Sequence, residues 1–332
     1  MKKILLINFV IFFILALLAE IILGSWFSKN NFGIHMRGHF NANFKVETDI
    51  HGTNKEFIFF RNSYAFRNYE KKAEDIDVIF NGGSTTIQSY LPYEETIVGI
   101  LNELFKDKNI FFANAGLEGK STYGYLCDFQ YWFSKIKNLN PKYYIFYTGY
   151  NDTWNPSNSK MMNCEGITSR KTNTQKFIDY LLNNSFVLSN IIKIKHRFFE
   201  QKISFKANPY NNNKFISYEE SKKLLLDRYY LDLKPIINYR NNLKSLNKIL
   251  IKNKISPIFI TQVTSSGNDN LLLYKINLET KKFAKKNNYI ILKLDEEIEL
   301  EPNDFYDQVH TNKKGSKKIA NYIYFKIKYF FR

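Results

Sequence analysis

Cysteine and histidine are scarce in this 332-residue chain, which has two of the first and five of the second. Neither type falls into zinc-finger spacing, and the separation of Cys127 and Cys164 does not suggest a metal site. An RNP-like aromatic motif is also missing, so the formal net charge of +17 does not by itself point to DNA or RNA. Lysines are spread over the chain instead of being confined to one block, and the excess is read as a solvated basic surface without a nucleic-acid partner. No internal repeat is present. Disorder is excluded by what is abundant: 44% hydrophobic and 17% aromatic residues are ample for a packed core.

The N-terminus reads MKK followed by an apolar run from Ile4 to Leu23, interrupted by Asn8 and Glu20. Twenty residues of helix rise about 30 Å, enough to cross the hydrocarbon core. Glu20 would be costly at the bilayer centre, but it lies near the end of the run, within reach of headgroups or water, and Trp26 suits the interface. Lys2 and Lys3 before an apolar core also fit a cleaved signal peptide. Cleavage after Ala19 would place Leu17 where a small residue is preferred, and cleavage after Leu23 or Gly24 is no better. Residues 1–27 are therefore read as an uncleaved transmembrane anchor and residues 28–332 as an exported domain, although Lys29 and Arg37 partly offset the positive-inside signal. In an oxidising compartment Cys127 and Cys164 could pair; two separate buried thiols fit equally well.

Beyond an aromatic lead-in over 30–70, strand-like apolar runs at 77–80, 110–113, 143–147, 257–263 and 289–294 alternate with helical patterns. One helix is expected over 96–105, with Ile97, Ile100, Leu101 and Leu104 on one face, and another over 122–137. Such alternation predicts an α/β fold, a mainly parallel sheet of about five strands covered by helices on both faces. Reactive groups gather beyond the carboxyl ends of such strands. Residues 155–230, with helices near 174–200 and the turn NPYNNN at 208–213, form an insertion long enough for a lid or substrate wall. Residues 217–252 read as helical despite Pro235. The run 313–331 places Ile319, Ile323, Ile327 and Phe330 along one helical face, which is expected to pack on the sheet.

Four short blocks carry the chemistry. FYDQVH puts Asp307 three positions before His310, a pairing that can orient an imidazole as a general base. His35, His39 and His51 lie in the lead-in and His196 in the insertion, so His310 alone has that context. In DVIFNGGSTT an apolar run stops at Gly82 and Gly83, where a sharp turn would expose the Ser84 hydroxyl. NAGLEGKST supplies Asn114, Gly116 and Gly119, and YIFYTGYND delivers Gly149, Asn151 and Asp152 after another apolar run. Taken singly, Gly119 could be a turn glycine and Asn151 a helix cap. Asp152 is read as a brace for its loop. Lys120, Lys313 and Lys314 flank the motif loops and could attract an anionic substrate, but are read as a solvated basic face.

Over residues 60 to 325 these blocks, in this order, resemble the SGNH hydrolases of the GDSL esterase and lipase superfamily, with the four letters on Ser84, Gly119, Asn151 and His310. The passages NSYAFRN, GGSTT and PYEET resemble the membrane-anchored subset. The aspartate that usually precedes the nucleophile is Gly83 here. The resemblance implies a three-layer α/β/α fold with a flavodoxin-like sheet and a serine esterase acting through an acyl-serine intermediate. It implies Ser84, Asp307 and His310 as the catalytic set and Ser84, Gly119 and Asn151 as the oxyanion hole. It requires no metal and no organic cofactor, and makes the partners an acyl ester on an envelope glycan or lipid and the membrane itself. An O-acyltransferase using the same residues, and a catalytically silent envelope glycan-binding or assembly protein, are the alternatives.

Overall fold

A computed structural model describes residues 2–24, 26, 41–50, 52, 54–154, 173–188, 190–191, 202–207, 216–226, 234–267 and 270–331. In chain order, helix α1 (Lys2–Leu23) precedes strands β1 (Asn43–Thr48), β2 (Lys55–Phe60) and β3 (Val78–Gly82). Then come α2 (Ser84–Ile87), α3 (Ile97–Leu104), β4 (Phe112–Gly116), α4 (Thr122–Tyr131), β5 (Tyr143–Tyr147) and α5 (Tyr150–Trp154). The insertion contributes α6 (Asn173–Asn184), β6 (Lys202–Phe205) and α7 (Tyr218–Leu226). The chain closes with α8 (Lys234–Lys252), β7 (Ser256–Ile260), α9 (Leu271–Lys286), β8 (Ile290–Leu292), α10 (Leu294–Glu297) and α11 (Lys313–Ile327).

Five strands form one all-parallel sheet in the order β4-β3-β5-β7-β8, the flavodoxin-like arrangement. Strands buried on both faces need apolar side chains at successive positions, which is why VIF, YIFY and PIFI run unbroken. Ile79, Phe146 and Phe259 point into one core with Tyr125, Trp132, Tyr239 and Leu246. Val78, Phe80, Ile145 and Ile258 point into the other, with Ile97 and Leu101 of α3 and Ile319, Ile323 and Ile327 of α11. Each such side chain contributes about 1.5–3 kcal/mol by leaving water. The final helix thus packs on the sheet as expected, except that Phe330 lies past its end and is 40% exposed.

The expected elements are present with shifted ends. Thr96 caps α3 by accepting from the Gly99 N–H at 3.0 Å. Pro235 sits in the first turn of α8, where its missing N–H breaks no helical bond. The helix expected over 122–137 stops at Tyr131, because Trp132 turns inward and donates its indole N–H to the Tyr64 carbonyl at 2.7 Å. The lead-in forms more structure than expected: β1 and β2 make an antiparallel hairpin, and β6 of the insertion adds to β1 in parallel. A period-two signal was present in Phe44, Val46 and Thr48 alternating with Lys45 and Glu47.

Register sets the functional edge. Gly82 pairs with Gly116 on one side and Tyr147 on the other, and Tyr147 pairs with Ile260, so four strands end level. Ser84, Gly119, Asn151 and Gln262 all follow those ends within a few residues. Ser84 and Asn151 flank the point where the chain's strand order reverses, between β3 and β5.

Candidate active site

Close packing makes the two glycines before Ser84 necessary. A Cβ on Gly82 would lie 2.0 Å from Thr86 Oγ1, and one on Gly83 would lie 2.3 Å from Asn151 Nδ2. The Gly83 position that resembled a missing aspartate is therefore one where the Asn151 amide leaves room for no side chain. The Gly83 carbonyl accepts from the N–H groups of Thr86 and Ile87, which starts the single turn of α2 at Ser84. Among the described residues the Ser84 hydroxyl makes no hydrogen bond, and the residue is only partly buried.

The far end of that turn is clamped. Gln88 adopts a left-handed conformation (φ 51°), and the buried Arg67 guanidinium donates to the carbonyls of Ile87, Gln88 and Leu91. Arg61, also buried, donates to the Ala65 and Gly116 carbonyls at 2.7 and 3.0 Å. Burial lowers the Arg67 pKa to about 9 and that of Arg61 to about 10. Among the described residues neither arginine forms a salt bridge; both donate to carbonyls and lie over the Phe59 ring, Arg61 at 5.8 Å and Arg67 at 4.8 Å from its centroid.

Gln88 joins this turn to the C-terminal motif. Its Nε2 donates to Thr311 Oγ1 at 3.1 Å and to Ser316 Oγ at 2.6 Å, while its Oε1 accepts from the Ile97 N–H. Thr311 follows His310 directly, so Ser84 and His310 sit four residues and one residue from a shared hydrogen bond. In the His310 loop, the imidazole Nδ1 lies 2.7 Å from Asp307 Oδ2. Asp307 Oδ1 accepts from the backbone N–H groups of Val309 and His310 at 2.9 and 2.8 Å. Burial raises the Asp307 pKa, but the hydrogen bonds from His310 and these amides outweigh it and hold the carboxyl below its usual value. The Tyr306 ring stacks on the imidazole with centroids 5.6 Å apart.

The Asn151 loop is built differently. Gly149 has φ 136°, which a side chain would strain, and Asn151 Nδ2 donates to the Lys120 carbonyl at 2.9 Å. Asp152 accepts from Thr122 Oγ1 at 2.6 Å and from its N–H, tying α5 to the start of α4. Burial pushes its pKa up to about 7 against those bonds. Gly119 has φ 67° with open space where a side chain would be.

Sequence reasoning did not find several of these groups. Gln262 donates to Thr85 Oγ1 at 2.8 Å and accepts from the Tyr150 N–H at 2.7 Å, bridging the Ser84 and Asn151 loops. Its place just past a strand end, like that of Ser84, was an available signal. Lys120 corrects the reading of a solvated basic face: its side chain is 3% exposed, and Nζ donates to Asp128 at 2.7 Å and to Asn81 Oδ1 and the Ala115 carbonyl at 2.6 Å. Lys313 and Lys314 remain at the surface, paired with Glu95 and Glu301. The glycine block is also placed differently, since Asn114 and Gly116 lie inside β4 and only Gly119 is in the loop. From the insertion, Phe205 stacks on Tyr90 (4.0 Å) and meets Tyr306 edge-on (5.5 Å), forming an aromatic wall beside the imidazole. His35, His39, His51 and His196 lie outside the described residues. Cys127 is disulfide-bonded, and Cys164 lies outside the described residues. Among the described residues no group of three His, Cys, Asp or Glu side chains could hold a metal ion.

The chain matches no protein-family profile and no curated protein sequence. Solved structures do align with it. An acetyl xylan esterase from Geobacillus stearothermophilus is 15% identical over 76% of this chain and 96% of that one, with a TM-score of 0.43. A member of the lipolytic G-D-S-L family from Veillonella parvula is 15% identical over 76% and 97%, at 0.41. A putative acylhydrolase from Bacteroides fragilis is 14% identical over 77% and 88%, at 0.40.

Proposed function

We propose that the chain is an SGNH-type serine ester hydrolase, tethered by α1 to a membrane and acting on acyl esters of an envelope glycan or lipid. The carrying observation is the 2.7 Å Asp307–His310 contact on a loop that Gln88 ties to the turn bearing an unbonded Ser84 hydroxyl. In this reading Asp307 keeps the proton on His310 Nδ1, leaving Nε2 free to take the proton from Ser84 Oγ as it attacks the ester carbonyl. The charge that develops on the carbonyl oxygen meets the N–H groups of Ser84 and Gly119 and the Asn151 amide, whose position against Gly83 supports this role. His310 returns the proton to the leaving alkoxide, then draws one from the water that attacks the acyl carbon and passes it to Ser84 Oγ as the acyl–oxygen bond breaks and the free acid leaves.

Asp307 suits the holding role because its lowered pKa keeps it anionic at neutral pH. The partly buried Tyr90 and Phe205 offer an apolar, flat surface on which the acyl or alcohol part can rest. Membrane tethering is supported by α1, whose Lys3–Leu23 portion is long and apolar enough to span a bilayer. Export of the remaining chain agrees with the Cys127 disulfide. The full-length protein in detergent should hydrolyse p-nitrophenyl acetate or a longer acyl ester, and Ser84→Ala should not. Equal turnover by Ser84→Ala would end this reading. Acylated glycan in place of free acid, when a sugar acceptor is present, would shift the reading to an O-acyltransferase.

A further inference from the structure

Part of the insertion packs on α1. Glu20, one turn before the last residue of that helix, accepts hydrogen bonds from Ser185 Oγ and from the backbone N–H groups of Phe186 and Val187, both at 3.0 Å. It also accepts from Trp26 Nε1 at 2.9 Å. Ser185 Oγ in turn accepts from the Leu188 N–H, so one carboxylate organises the start of the turn that follows α6. The Tyr180 ring meets Trp26 edge-on at 5.8 Å. Beside these bonds an apolar cleft of about 280 Å³ is lined by Phe13, Ala16 and Leu17 of α1 and by Leu181, Val187 and Leu188.

We infer that residues 173–188, with Asn190 and Ile191, are a second membrane-contacting element, an amphipathic segment seated in the lipid interface against the end of the α1 span. The inference rests on the tether reading above. Depth is the first reason. At 1.5 Å per residue, Glu20 and Leu17 lie about 4.5 and 9 Å below Leu23, the depth at which interfacial helices bury their apolar faces. Any bilayer that surrounds α1 over its length must therefore meet the segment docked there. Composition is the second. Phe177, Ile178 and Tyr180 of α6 are 60%, 47% and 50% exposed, and Ile191 is 55% exposed. Outside Phe177, Ile178, Tyr180, Leu181 and Leu182, α6 reads NTQK, Asp179 and NN, so its apolar residues gather on the side where Leu181 meets α1 and continue the lipid-facing surface of that helix. Trp26 and Tyr180 meet where an aromatic belt would lie. The capping of Glu20 is the third: a carboxylate costly in hydrocarbon is satisfied by this segment, which gives the two a reason to stay together.

The test uses the full chain in phosphatidylglycerol–phosphatidylethanolamine nanodiscs, with spin labels on Phe177→Cys and Ile178→Cys. Phe12→Cys on α1 and Ile251→Cys on α8 serve as lipid and water references, being 70% and 66% exposed in the native chain. Labels at 177 and 178 should behave like the one at 12, accessible to oxygen and shielded from a water-soluble nickel chelate. Adding Glu20→Ala should raise their nickel accessibility several-fold; unchanged accessibility would overturn docking through this carboxylate. Nickel access at 177 and 178 equal to that at 251, with 12 still shielded, would overturn the inference and leave the tether intact. Nickel access at 12 as well would overturn the tether and the inference with it. Shielding from both probes with dipolar broadening would mean that a second copy covers the stripe, which also overturns it.

Discussion

Two segments at the carboxyl edge of the sheet each carry an aspartate, Asp152 buried and Asp307 partly so, and the two carboxyls are shifted in opposite directions. Asp307 is held below its usual pKa by an imidazole and two backbone amides, whereas Asp152, whose partners are the hydroxyl and N–H of Thr122, is pushed up to about 7. Burial raises both; the donors decide the outcome. An anion stabilised at neutral pH suits a place beside an imidazolium, while a buried carboxyl that ionises less readily suits a tie between two helices. In the proposed mechanism the same residue type thus orients a base in one place and braces structure in the other.

The contrast breaks first at the groups proposed to react. Ser84→Ala and His310→Ala should each lower kcat by on the order of 10⁶-fold, read by steady-state hydrolysis of an activated ester. Asp307→Asn should cost about 10⁴-fold, because it attacks nothing but sets the imidazole tautomer. Asn151→Ala should cost about 10²–10³-fold in kcat, the typical loss of one oxyanion donor. If Asp152→Asn matched the Asp307→Asn loss, the division of roles between the two loops would be wrong.

Stability against pH sharpens the same contrast. Asp152 has a folded pKa above its unfolded value, so the folded state binds more protons and stability falls as pH rises from about 4 to about 7. Asp152→Asn, which can still accept from Thr122, should remove that slope and gain on the wild type by up to about 1.4 kcal/mol per pH unit in this window. Asp307 has the opposite sign: its contribution is full above the unfolded pKa near 4 and is lost as pH falls through the lowered folded value. Melting temperatures of both variants between pH 3 and 8 should therefore lie nearest wild type at the acid end and part from it in opposite directions as pH rises, Asp152→Asn upward and Asp307→Asn downward. The smallest effect is expected at Phe205→Ala, which should raise KM for longer acyl esters by about 10-fold or less while leaving kcat for acetate esters unchanged.

Much of this edge was legible because its signals are local. The apolar runs that became β3, β5 and β7 are unbroken in sequence, and the Asp307–His310 contact spans only three positions. The hairpin of β1 and β2 was missed because its alternating strands sit among scattered aromatics that blurred the period. Lys120 was misread because a lysine beside a loop is ordinarily solvated; its burial depends on Asp128, eight residues on, and on carbonyls that face it only after β4 and α4 pack. The insertion was expected as a lid or wall. Its described parts contribute β6, with Phe205 in the aromatic wall beside the imidazole, and a helical stretch bonded to Glu20, neither of which the sequence located.

Sequence alone determined the parallel sheet, the apolar N-terminal helix and the pairing of Asp307 with His310, since each depends on side-chain pattern within a few residues. Only the tertiary structure decided that Gln88 would meet Thr311 across 223 positions, that Asn151 would leave Gly83 no room for a side chain, and that Glu20 would cap a turn 165 residues away. Those contacts depend on where packed elements bring distant backbone groups, and no local pattern encodes the partner of a hydrogen bond formed at such a distance.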